Sequence, residues 1–134
     1  MQASFDFITD DVLHSAVALA GGGSRATVGS CGVFSGGLMA LSLRFNPRSD
    51  VLSKAEMETL EKARERTNEY RDWFISEFGS VVCSEVQEKL FGRYYNFMDD
   101  DDIKAFGKFP GKEKCNDVVK ASARKVAEIL TREG

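Results

Sequence analysis

Three cysteines, Cys31, Cys83 and Cys115, are the residues of this 134-residue chain best suited to chemistry. They stand far apart. There is no CxxC pair, so neither a zinc knuckle nor a thioredoxin-type motif is present, and no CxxCH attaches a haem. Their surroundings repeat. Cys31 follows Gly29-Ser30, Cys83 follows Gly79-Ser80, and Cys115 follows Pro110-Gly111. A helical pattern begins after each break, so all three thiols fall near expected helix N-termini. There the unpaired backbone N–H groups and the helix dipole stabilise a thiolate and lower its pKa. Thiolate is the form that ligates iron or zinc and the form that attacks disulfides. Any one free cysteine is more often a small buried hydrophobe; three in one type of position favour a shared role.

The elements that must carry these thiols read as helices nearly throughout. Thr9 caps a first helix with Asp10 and Asp11 in its first turn, and Ile8, Val12, Ala16 and Leu19 share a face. Three glycines, Gly21, Gly22 and Gly23, stop it. A second helix over 31–45 carries Phe34, Leu38, Leu41 and Phe45 at spacings of four, three and four. Its Gly36 and Gly37 admit another backbone closely, at about 1 kcal/mol each relative to alanine. Ser53 with Glu56 forms a capping box for a long helix to Phe78, which Gly79 ends. A short helix over 82–91 takes Ser80 or Ser84 as its cap and stops at Gly92. The four aspartates at 99–102 open another short helix, without the alternating spacing of a calcium loop. A last helix runs over 113–131. No period-two strand pattern, repeat or linker interrupts this, so the expectation is an all-α, single-domain bundle of five or six helices over residues 1–134.

Composition removes several function classes. Hydrophobic residues make up 43% and charged residues 29%, which argues against disorder. The net charge of −3, with both signs interspersed, gives no electrostatic footprint for nucleic acid. The longest apolar run, 36–43, is far short of the ~20 residues that span a bilayer, so no membrane insertion is expected. The acidic N-terminus lacks the basic n-region of a signal peptide, and an odd cysteine count argues against a disulfide framework. Cytoplasmic, reducing surroundings are the default. The glycine-rich stretch before Cys31 fits neither a P-loop nor a Rossmann fingerprint: no lysine stands before a serine or threonine at the right place, and a helix rather than a strand precedes it. No Ser/His/Asp set is recognisable around the single histidine, His14.

The run AVALAGGGSRATVGSCGVFSGGLMALSL, from Ala16 to Leu43, resembles the core of the C_GCAxxG_C_C family of redox-active proteins. The motif reads Cys31-Gly32-Val33-Phe34-Ser35-Gly36, with Val33 where alanine is usual. Downstream, FGSVVCSEV and KCNDVVKASARKVAEIL are similar to the segments that carry the family's last two cysteines. The family pattern has four cysteines, the first on a helix upstream of the glycine turn; this chain has none before Cys31.

That resemblance implies a prosthetic group such as an iron–sulfur cluster, or a single metal ion, held by Cys31, Cys83 and Cys115. Electron transfer or metal handling is then expected rather than substrate conversion, with a redox partner protein. A cluster usually takes four protein ligands. The fourth would be His14, Asp10 or another carboxylate, water, or a residue of a second subunit in a homodimer. Two alternatives stand beside it. One is metal-free thiol–disulfide chemistry, which needs two Cα atoms within ~7 Å. The other is a helical interaction scaffold whose thiols have no role.

Overall fold

Ser53 opens the longest helix as its sequence requires. Its hydroxyl accepts from the Glu56 N–H at 3.2 Å, and the Glu56 carboxylate accepts from the Ser53 N–H at 2.7 Å, a complete capping box. In the computed structural model, which describes residues 5–48 and 53–132, this element is α3 (Lys54–Phe78), and Gly79 closes it with φ +81°. The others are α1 (Asp10–Ala16), α2 (Gly32–Phe45), α4 (Cys83–Phe91), α5 (Asp100–Lys108) and α6 (Lys114–Thr131). The described residues thus form six α-helices with no strand, an all-α architecture. The N-terminal four residues, residues 49–52 and the last two lie outside the description.

The core lies where α2 packs against both α3 and α6. Phe34 and Leu41 of α2, Tyr70 and Phe74 of α3, and Val118, Val126 and Ile129 of α6 are buried together. Each such side chain contributes about 1.5–3 kcal/mol by leaving water. Phe34 stacks on Tyr70 at 5.5 Å and meets Phe74 at 5.2 Å, within the range of favourable ring pairs. The two glycines of α2 divide their roles. A Cβ on Gly37 would lie 2.5 Å from the Tyr70 hydroxyl oxygen, so Gly37 admits that ring. Gly36 faces open space, with nothing within 4 Å of where its Cβ would be.

Two local expectations change. The first helix, capped by Thr9 as its sequence indicates, ends at Ala16 and continues as a 3-10 turn over Val17–Leu19. It buries no residue, so its apolar face borders a cleft rather than closing the core. The N-cap of α4 is Val82, not Ser80 or Ser84, and no side chain caps it. Ser80 instead accepts from the Val82 N–H at 3.0 Å and bonds the Glu85 carboxylate, bracing the turn before the helix. The four aspartates open a short helix as expected. Asp99 caps α5, accepting from the Asp102 N–H, and the next three occupy its first turn. Among the described residues, no helix is long and apolar enough to cross a membrane.

Candidate thiol site

The site begins with an unusual turn. Gly21, Gly22 and Gly23 have φ of 65°, 83° and 83°, and Ser24, Arg25 and Thr27 follow at 46°, 61° and 71°. Left-handed backbone suits glycine but costs other residues of order 1 kcal/mol or more each. Packing over-determines it. Thr27 is 1% exposed, its hydroxyl accepts from the Phe97 N–H at 2.9 Å, and its carbonyl accepts from the Ser84 N–H at 2.9 Å. The N–H groups of Gly23, Ser24, Arg25, Ala26 and Thr27 all donate to backbone carbonyls of residues 18–23. A phosphate would find none of these five free, which agrees with the missing nucleotide motifs.

This turn lays Gly29 directly on Gly22; a Cβ on Gly29 would stand 2.1 Å from the Gly22 carbonyl oxygen. Gly29, Ser30 and Cys31 then pair antiparallel with Val81, Val82 and Cys83 at the start of α4. Cys31 N–H donates to Val81 O at 2.6 Å, Cys83 N–H donates to Gly29 O at 2.8 Å, and Ser30 faces Val82. Side chains alternate across such a pair. Ser30 and Val82 therefore take one face, and Cys31 and Cys83 the other. Diagonal neighbours in this geometry have Cα atoms about 7–8 Å apart, just beyond the ~4.4–6.8 Å of a disulfide. Both are free thiols, as is Cys115.

Cys115 is carried by α6. It is the second residue of α6, after a 3-10 turn opened by Pro110. Lys114 next to it donates to the Leu90 carbonyl at the end of α4 at 3.0 Å. Cys31 is the N-cap of α2 and Cys83 the first residue of α4, so the starts of three helices carry the three thiols. The sulfurs feel one another: charge on Cys31 raises the pKa of Cys83, and charge on Cys31 and on Cys83 raises that of Cys115.

The expected lowering of thiol pKa by the helix dipole does not prevail at these two sites. Burial, ahead of the neighbouring thiols, pushes Cys115 up to about 11. Burial also raises Cys83, partly offset by Gln87, whose amide donates to its sulfur at 3.5 Å. The cost of desolvating a thiolate exceeds what a helix terminus returns. At neutral pH both are thiols.

Gln87 and Tyr70 emerge only in three dimensions. Gln87 is buried, and besides touching Cys83 it holds Tyr95 by both backbone groups, accepting from its N–H at 2.8 Å and donating to its O at 3.4 Å. A polar residue four positions after Cys83 on one helix was the available signal. The fully buried Tyr70 donates to the Val33 carbonyl at 3.3 Å, and burial raises its pKa to about 12.

His14 is exposed on α1. Among the described residues no three His, Cys, Asp or Glu side chains are arranged to hold a metal ion. The three thiols are soft donors of the right type for iron or zinc.

A family model described as "Putative redox-active protein (C_GCAxxG_C_C)" matches residues 1–129. No curated protein and no solved structure matches the chain.

Proposed function

Because this chain belongs to the C_GCAxxG_C_C family, we propose that it is a redox-active protein whose working groups are Cys31, Cys83 and Cys115, cycling between free thiols and one internal disulfide. The observation that carries this reading is the backbone pairing of Gly29–Cys31 with Val81–Cys83, which brings the segments of two sequence-distant thiols side by side. A partner protein bearing a disulfide supplies the oxidant. Two thiols of the site lose two protons and two electrons and form one S–S bond, while the partner's disulfide becomes two thiols. Cys31 and Cys83 form the bond once their backbones draw within the range of a disulfide. Cytoplasmic, reducing surroundings suit the reduced form.

The test is thiol counting and disulfide mapping after equilibration in glutathione buffers of graded potential. The expected result is one reversible internal disulfide and one remaining thiol. Three thiols at every potential, or only mixed disulfides with glutathione, would overturn this reading.

A second reading rests on the three helix N-termini (α2, α4 and α6), whose field favours thiolates once a cation compensates their burial. Here the same cysteines ligate a metal ion or an iron–sulfur cluster, completed by His14, Asp10, another carboxylate, water or a second copy of the chain. Anaerobic purification with a visible spectrum and iron, zinc and sulfide analysis decides it. Brown protein with iron and sulfide, lost on Cys31→Ser, supports a cluster; zinc without colour supports a redox-inert metal. Colourless, metal-free protein overturns this second reading. Failure of both tests leaves a helical interaction scaffold.

A further inference from the structure

A buried side-chain amide is fixed against one of the three sulfurs. Gln87 stands four residues after Cys83 on α4, on the same face, and is 3% exposed. Its Oε1 accepts from the Tyr95 N–H at 2.8 Å, which an amide nitrogen cannot do, so the orientation of the group is settled. Both hydrogens of Nε2 are then directed, one to the Tyr95 carbonyl at 3.4 Å and the other to the Cys83 sulfur at 3.5 Å. Tyr95 is itself held. Its ring is buried against Phe91, Phe106 and Phe109, and the Arg93 guanidinium covers it at 4.1 Å. The donor at Cys83 is thus clamped before any charge forms on the sulfur. Accessibility sets the other two thiols apart. Cys31 and Cys115 are partly exposed, whereas Cys83 is buried. Cys115 keeps its proton to about pH 11, which leaves Cys31 as the thiol that an incoming disulfide meets in neutral solution.

Given the thiol–disulfide function proposed for the three cysteines, on which this rests, we infer that Cys31 attacks the partner's disulfide and Cys83 resolves it, with Gln87 donating to the Cys83 sulfur while that sulfur is charged. Cys31 as thiolate attacks one sulfur of the partner's disulfide. A Cys31–partner S–S bond forms, the partner's own S–S bond breaks, and its second sulfur leaves as a thiolate and takes up the proton that Cys31 gave up. Cys83 as thiolate then attacks the Cys31 sulfur, forms the internal disulfide and expels the partner's first sulfur, with the same exchange of a proton. Two electrons pass to the partner. In the reverse direction Cys83 is the leaving group. In both directions its charge forms where burial strips water from it, and an anionic acceptor gains more from a fixed N–H than a neutral one does. Gln87 therefore acts on the second step and not on the first.

Stopped-flow reaction with the aromatic disulfide DTNB, which releases a coloured thiolate at each step, separates the two. Attack by Cys31 is bimolecular and scales with reagent; resolution by Cys83 is unimolecular and does not. Cys83→Ser should abolish the unimolecular phase and leave the first adduct on Cys31 in a peptide map. Gln87→Leu should slow that phase about tenfold, with the bimolecular rate at Cys31 unchanged. It also releases Tyr95, so Gln87→Glu is the second variant: a carboxylate oxygen still accepts from the Tyr95 N–H, but no N–H faces the sulfur. At pH 8.5 it should resolve at least as slowly as Gln87→Leu, whereas a residue that merely held Tyr95 would be restored by the glutamate. Resolution at the unsubstituted rate in Gln87→Glu, equal slowing of both phases, or a first adduct on Cys83 or Cys115 would overturn the inference with the internal disulfide still forming. No unimolecular phase in the unsubstituted protein would instead overturn the thiol–disulfide function itself.

Discussion

Burial governs Cys83 and Cys115 more than the helices they start. Cys115 keeps its proton to about pH 11, so its alkylation by iodoacetamide at pH 7 should be slow and should rise steeply between pH 9 and 11, read by mass spectrometry of the Cys115 peptide. The same shift links to stability. Folding favours the protonated thiol, so its contribution is full below pH 9, the ordinary thiol value, and is lost as pH rises toward 11. Tyr70 continues the loss from pH 10 to about 12. Thermal melts should therefore fall through this window, and Cys115→Ala should flatten the lower part of the decline while leaving the upper part. Gln87 belongs to the same scale. Gln87→Leu strips both backbone groups of Tyr95 of their partner and should cost about 1–3 kcal/mol in urea unfolding, while raising the Cys83 pKa further by removing its donor.

The turn before α2 and the pairing it permits act as one element. Gly29→Ala would drive a Cβ into the Gly22 carbonyl, and backbone cannot swing aside as a side chain does. The expected result is a destabilisation of about 1–3 kcal/mol and faster amide exchange at Cys31 and Cys83, whose N–H groups make the two bonds of the pair. Gly23→Ala offers a contrast. No atom lies within 4 Å of the new Cβ, and only the positive φ of 83° penalises it, so it should cost about 1 kcal/mol with both amides still protected. Equal exchange in the two variants would show that the turn does not position the thiols. The caps that bound these helices were legible because they are local. Thr9, Ser53 with Glu56, Gly79 and Gly92 act within one turn of their own positions. The cap of α4 was misread because Ser80 spends its hydroxyl on the turn outside the helix.

At the scale of the molecule, α6 is the strut that brings Cys115 to the other thiols, and its grip is apolar. Val126 and Ile129 are fully buried against α2 and α3. Ile129→Ala should lose about 2–5 kcal/mol in urea unfolding and should speed alkylation of Cys115 in the native state; an unchanged alkylation rate would detach the thiol site from the core. By itself the sequence determined the helices, their order and the placing of all three cysteines at helix starts, because periodicity and capping are read over a few residues. Only the tertiary structure decided that Gly29–Cys31 pairs with Val81–Cys83, because that pairing is made by backbone N–H and C=O groups that every residue carries and no side chain advertises. It also decided the ionisation of Cys83 and Cys115, since desolvation depends on what packs over a sulfur rather than on its neighbours in the chain. The cleft along α1 is decided there too: α1 lies along α2 and α6 without closing on them, and that is a property of how three helices fit, not of any one of them.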